Sequence, residues 1–221
     1  MKKDISKIHY EVLDKKRLNL LNRLAPLVKN FVLSGGTALA LQIKHRKSFD
    51  FDFFSDQAIS SSLIGKLKDL VEISTILVNT SDELSFMVSN DIKISFIYYP
   101  LLNIKHSGIT ELKNGIKLFS INEIAAQKAY TIGRRGTYRD YYDIYAILHG
   151  KHLTLKGIIE SAQKVYGEIF NPKLFLEQLV YFSDLTNFEM IPADDSKKIP
   201  DSKEVKSYFE KEVRKILKDW K

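Results

Sequence analysis

Two aspartates pose the first chemical question. Asp50 and Asp52 lie in the run Phe49-Asp50-Phe51-Asp52-Phe53. Strict alternation predicts a strand, on which residues of one parity share a face. Both carboxylates then point one way and the three phenylalanines the other. Adjacent carboxylates repel and are costly to bury, and a divalent cation between them removes that cost. Mg²⁺ (or Mn²⁺) suits the position, because it takes oxygen ligands and combines one or two carboxylates with substrate phosphates. Taken alone, the same pattern also describes a half-exposed strand with solvated acids.

The residues upstream add a second component. Phe31-Val32-Leu33 predicts a buried strand, and Ser34-Gly35-Gly36-Thr37 then opens Ala38-Leu39-Ala40-Leu41, a run of helix formers. A strand, a glycine turn and a helix start make a phosphate cradle. The first amides of a helix are unpaired, and glycine lets a phosphate approach the backbone. A tight turn without a ligand would use the same glycines. The cradle and the carboxylate pair together fall on what would be adjacent strands, which is the equipment of phosphoryl or nucleotidyl transfer.

The string Gly-Gly-Thr-Ala-Leu-Ala-Leu, followed by His45-Arg46-Lys47-Ser48-Phe49-Asp50-Phe51-Asp52-Phe53-Phe54, resembles the AbiEii/AbiGii family. These are nucleotidyltransferase-like toxins of bacterial abortive-infection and toxin–antitoxin systems, built on a DNA polymerase beta type of core. Ile124-Ala125-Ala126-Gln127-Lys128 resembles the family segment in which a lysine contacts the active site. Arg139-Asp140-Tyr141-Tyr142-Asp143-Ile144-Tyr145 resembles its second acidic signature, and residues 181–211 are similar to its C-terminal part.

These residues also have a reading of their own. Lys128 is the odd member of an apolar stripe formed by Ile121, Ile124, Ala125 and Ile132, where a lysine is usually paired, functional or snorkelling. Asp140 stands three residues after Thr137, which also fits a capping box. Asp143, one turn on, is expected to hold local structure, with an arginine as its partner. In the basic turn Gly133-Arg134-Arg135-Gly136, neither arginine is singled out.

The resemblance implies a metal-dependent nucleotidyltransferase of the EC 2.7.7 type, with an NTP as donor and the 3′ end of a tRNA, or another RNA, as acceptor. Asp50 and Asp52 would hold the metal. Gly35, Gly36 and Thr37 would cradle phosphates, with further contacts from Arg46 and Ser48. Lys128 would bind phosphate or stabilise developing charge, and Asp140 would orient the acceptor or take its proton. A cognate antitoxin is implied as a partner. A binding module of the same fold without chemistry, or nucleotide transfer to a protein hydroxyl, would use the same parts. The strand Asp91–Ile97 bears on this choice. A third carboxylate is expected on a neighbouring strand in this fold, and Ser95 occupies the place, leaving Asp91 or an acid from elsewhere.

Composition narrows the alternatives. The chain has 221 residues, is 44% hydrophobic and carries a net charge of +7, which favours a polyanionic partner. It contains no cysteine, so disulfides, thiolate zinc sites and cysteine nucleophiles are excluded. There is no Gly-x-x-x-x-Gly-Lys-Ser/Thr loop, no Gly-x-Gly-x-x-Gly turn and no His-Glu-x-x-His. No apolar run approaches a membrane span, and MKKDISKIHYEVLDKK lacks the apolar core of a signal peptide, so a cytoplasmic protein is expected.

The elements that must position these residues follow from periodicity. The fold class expected is α/β (α+β): a small mixed-sheet core over residues 30–119, preceded by helical residues 1–29 and followed by a helical part over 120–221. Residues 5–29 show a helical stripe that Pro26 interrupts. Ser60-Ser61-Ser62 is expected to cap a helix over 63–71. Strands are expected at 73–79, 83–89, 91–97 and 116–119, with 101–120 mostly a connection. Helices are expected near 120–132, 137–149, 154–166, 172–182 and 202–220, with a polar loop over 184–201.

Overall fold

The computed structural model describes residues 7–89, 91–101, 108–186, 188–194 and 198–220. Ile5 of the N-terminal stripe, positions 102–107 of the connection, and positions 187 and 195–197 of the polar loop lie outside the described residues. The chain divides into two units, Met1–Ser120 and Ile121–Lys221.

In the first unit, a 3-10 turn at Tyr10–Val12 leads to α1 (Lys15–Leu24), which Asp14 caps by accepting from the Arg17 amide. The helix stops two residues before Pro26. Then come β1 (Val32–Ser34), α2 (Gly35–Ile43), β2 (Phe51–Ser55), α3 (Leu63–Lys68), β3 (Ile73–Asn79), β4 (Glu83–Val88), β5 (Ile92–Tyr98), β6 (Ile109–Glu111) and β7 (Lys117–Phe119). The strands form one mixed sheet in the order β3-β4-β5-β2-β1-β7-β6. β2 runs antiparallel to β1 and parallel to β5, and β1 runs parallel to β7.

The alternation seen in the sequence sets the register. In β2, Phe51, Phe53 and Ser55 are buried while Asp52 and Phe54 are half-buried. Phe53 stacks on Phe96 of β5 with centroids 5.3 Å apart, and Phe96 stacks on Phe86 of β4 at 6.4 Å. This ladder of aromatic rings crosses three strands and fixes which face of β2 turns inward, because a slip of one residue would exchange rings for carboxylates.

Several expectations are corrected. β2 begins at Phe51, so Asp50 lies just before the strand rather than within it. The helix after the serines ends at Lys68 rather than at 71. Ser62 stands at its N-cap without a side-chain capping bond, the hydroxyls of Ser60 and Ser62 pairing with each other at 2.9 Å instead. The connection before residue 120 contains a strand, β6, paired to β7 through a turn at Gly115.

In the second unit, α4 (Ile121–Thr131), α5 (Tyr138–His149), α6 (Leu155–Tyr166), α7 (Pro172–Leu179) and α8 (Ser202–Asp219) pack around aromatic residues. Tyr130 stacks on Tyr166 at 4.2 Å, and Tyr145 meets Phe209 edge-on at 6.5 Å. Asn171 caps α7, which has proline at its start, and Asp201 caps α8. Among the described residues no helix is long and apolar enough to cross a membrane.

Candidate active site

Seven of the residues selected from the sequence gather at one end of the β1–β2 pair. Ser34 stands opposite Asp52 in the antiparallel register, so α2 starts directly beside that carboxylate. Gly35 has φ +69°, a left-handed conformation that lets the chain turn from strand into helix. A Cβ built on Gly35 would lie 2.8 Å from Asp52 Oδ2. Glycine is therefore required here twice over, by conformation and by the closeness of the carboxylate. A Cβ on Gly36 would collide with the Arg46 guanidinium and sit 3.1 Å from Ser48 Oγ. The two glycines thus let Asp52, Arg46 and Ser48 come close against the first turn of α2.

The Thr37 side chain holds the site together. It is buried, its hydroxyl lies 2.9 Å from Ser48 Oγ, and it donates to the backbone carbonyl of Asp50 at 2.5 Å. It ties the start of α2 to the segment that presents the acids. Asp50 in turn accepts from the Lys93 amide at 3.3 Å, linking the acid pair to β5. Arg46 is buried and donates to the Lys47 carbonyl at 3.1 Å.

The third acid does not come from β5. Ser95 pairs with Asp52 across β2 and β5, is buried, and its hydroxyl has no hydrogen-bond partner. Asp91 is turned to α1, where Lys16 Nζ lies 2.6 Å away and Arg17 3.5 Å away. The hydrogen bond from Lys16 holds its carboxyl below the usual range, against the effect of desolvation. Among the described residues no cluster of three acidic or histidine side chains is placed to hold a metal ion. The donor set offered is two carboxylates and a neighbouring hydroxyl, all hard oxygen atoms. That fits Mg²⁺, which binds through one or two carboxylates and completes its shell with water and substrate phosphates.

The other two expected residues meet in the second unit. Lys128 Nζ lies 2.6 Å from Asp140 Oδ1 and 2.6 Å from Asp143 Oδ2. All three side chains are buried. Arg135 closes the cluster through Nε and a second guanidinium nitrogen, 2.7 and 3.1 Å from the two Asp140 oxygens. Burial alone would raise the Asp140 pKa; the Lys128 charge and the bonds and charge of Arg135 outweigh it, so the carboxyl is held below its ordinary value. Thr137 stands at the N-cap of α5 without a side-chain capping bond, so the carboxylate of Asp140 serves this cluster rather than a capping box.

Two members of the cluster, Asp143 and Arg135, were not selected from the sequence. Asp143 forms an ion pair with Lys128. The i, i+3 spacing of Asp140 and Asp143 was a usable signal, since it puts both carboxylates on one helix face.

Comparison with known proteins bears on the fold and the family. The solved structure of a candidate nucleotidyltransferase from H. pylori superposes with a TM-score of 0.57 at 18% identity, covering 94% of this chain and 97% of that one, a likeness of fold. The structure of JHP933 from Helicobacter pylori gives a TM-score of 0.48 at 16% identity, covering 95% of this chain and all of that one. A protein of Aquifex aeolicus, described as uncharacterized, is 31% identical over 199 residues, spanning 87% of this chain and 91% of its own. The sequence profile described as "Nucleotidyl transferase AbiEii toxin, Type IV TA system" matches residues 19–215. That span takes in both acidic signatures and the lysine helix, and the chain belongs to the AbiEii nucleotidyl transferase toxin family.

Proposed function

We propose that this chain moves a nucleoside monophosphate from an NTP to the 3′ end of a tRNA, in the cytoplasm, as the toxin of a toxin–antitoxin pair. The observation that carries the reading is the approach of the Asp52 carboxylate to Gly35 at the first turn of α2. A carboxylate placed against an open helix N-terminus makes sense where a cation and a polyphosphate share the space between them. Asp50 and Asp52 would hold Mg²⁺, which when bound neutralises the phosphates and polarises the α-phosphoryl group.

The reaction forms a bond from the acceptor oxygen to the α-phosphorus and breaks the bridging bond to the β-phosphate. Pyrophosphate leaves, and the acceptor hydroxyl gives up its proton. The amides of Gly36 and Thr37 are suited to receive phosphate oxygens, with Arg46 and Ser48 bordering the same space. The Thr37 hydroxyl positions Asp50 through the Asp50 carbonyl, which leaves the Thr37 amide for phosphate. Asp140, held ionised, is a weak base and is better suited to orienting groups. The charge of Lys128 is shared between two carboxylates, which makes it a positioning residue for Asp140 and, through it, for Arg135, whose side chain is 60% exposed.

The test is incubation of the full chain with total tRNA, Mg²⁺ and each labelled NTP in turn, beside Asp50→Ala, on a denaturing gel. Label on RNA that disappears in the variant supports the reading; labelling that survives Asp50→Ala refutes it. A second reading is favoured by Ser95 standing opposite Asp52 and by Asp91 turned to α1: an NTP- or RNA-binding module without chemistry. Mg²⁺-dependent NTP binding with no product on RNA or protein would support that module, and label on protein would move the acceptor to a protein hydroxyl.

A further inference from the structure

A cavity of about 490 Å³ opens in the first unit at the end of β1 and β2 opposite the glycine turn. Val32 and Ser55 mark that end, and none of the residues gathered around Asp52 lines it. Its volume lies within the range of small-molecule sites. Three lysines, Lys29, Lys66 and Lys117, line it, against one acid, Asp56. Lys117 Nζ donates to the Lys29 carbonyl at 3.3 Å, which holds two of these cationic residues together. Among the described residues none of the three lysines is in an ion pair, whereas Lys16, Lys128 and Lys215 each have a carboxylate within 2.6 Å. Like charges around one cavity repel, and an anion placed among them relieves that repulsion.

The rest of the wall narrows the ligand. Phe31 is half-buried, with its ring edge-on to Phe96 at 4.9 Å, and buried Leu63 also lines the cavity. Ser60 and Ser62, whose hydroxyls pair at 2.9 Å, line the same space. Cationic side chains, hydroxyls and an aromatic face are the combination that accepts phosphate, sugar and base.

We propose that this cavity binds a nucleotide unit, with phosphate on the lysines and the base against Phe31, at a site separate from Asp50 and Asp52. The unit comes from a free mononucleotide or from a single-stranded RNA. The proposal does not rest on the transferase reading.

The test uses the full chain in EDTA, so that binding through a divalent cation is removed. The probes are AMP, followed by calorimetry, and a labelled single-stranded RNA decamer, followed by fluorescence polarisation. Lys29→Glu/Lys66→Glu/Lys117→Glu is compared with a charge-matched reversal of three exposed lysines elsewhere, Lys164→Glu/Lys173→Glu/Lys211→Glu. Circular dichroism checks folding, and Lys29→Gln/Lys66→Gln/Lys117→Gln provides a milder second variant.

The expected result is binding of at least one probe by the wild type, weakened about tenfold or more by the cavity reversal and less than about threefold by the control. For RNA, loss of three phosphate contacts should also lower the slope of log affinity against log salt by about 2 in either cavity variant. AMP bound and then lost in the cavity variants identifies a free-nucleotide site; RNA alone bound and lost identifies a strand site. Failure of the wild type to bind either probe, or equal weakening by the two reversals, overturns the proposal. Labelling of tRNA in the transferase assay is read separately and does not decide it.

Discussion

Replacing Lys128 by methionine should destabilise the protein by about 3–5 kcal/mol, the cost of removing one partner from a buried ion pair. The ammonium sits 2.6 Å from each of two carboxylates, and the three side chains are 8%, 2% and 0% exposed. Arg135 adds a second cation on Asp140. Arg135 is 60% exposed, so solvent screens its pair with Asp140 and it cannot substitute for the lost lysine. Lys128→Met therefore leaves Asp140 and Asp143 buried without the cation they share.

Removing one charge of each sign restores the balance. Lys128→Met/Asp143→Asn should recover about 2 kcal/mol relative to Lys128→Met, within the coupling measured for residues in direct contact. Since whole domains are stable by only about 5–15 kcal/mol, both effects are large enough to measure. The assay is urea unfolding of the four proteins of the cycle, followed by circular dichroism. A Lys128→Met variant within about 1 kcal/mol of wild type would refute the reasoning, as would a double variant less stable than the single one.

Further outcomes follow from the same geometry. Gly35→Ala and Gly115→Ala both place a side chain at positive φ, +69° and +82°, and each should lose about 1–2 kcal/mol in urea unfolding. Only at Gly35 does the new Cβ meet Asp52, so only that variant should lose nucleotide transfer, by about a hundredfold; equal activity in the two would remove the case for the glycine turn as a cradle. Ser95→Ala should change stability by less than about 1 kcal/mol, because the buried hydroxyl has no partner to lose, and a larger loss in thermal unfolding would contradict that. The folded Asp140 carboxyl lies below its ordinary value of 3.8, so its contribution to stability is complete above that pH and is lost as pH falls below it through the folded value. Urea titrations across acid pH should therefore show a shallower loss in Asp140→Asn than in wild type.

Much of the first unit was legible because its signals are local. Two-residue alternation placed Phe51 and Phe53 inside and Asp52 on the other face, whereas the register of Ser34 with Asp52 was not legible, because residues 35–50, including all of α2, separate the two strands. The glycine turn was legible because two residues without a Cβ stand between an apolar strand and a run of helix formers. Element ends were less so. α3 stops at Lys68, although the apolar residues at Leu70 and Val71 extend its stripe, because the last turn of a helix depends on packing and capping outside the segment.

The sequence by itself therefore determined the glycine turn before α2, the strand face that carries Asp52, the mixed α/β class and the resemblance that the family comparison confirmed. Tertiary structure decided how individual polar groups are used. It turned Asp91 toward Lys16 and Arg17 on α1, set Ser95 opposite Asp52, spent the hydroxyl of Thr37 on the Asp50 carbonyl, and gave Asp143 to Lys128. Periodicity specifies the face on which a side chain leaves the backbone. It does not specify the partner that side chain meets there, because a buried charge is satisfied by whichever opposite charge the packing of distant elements brings within hydrogen-bond reach.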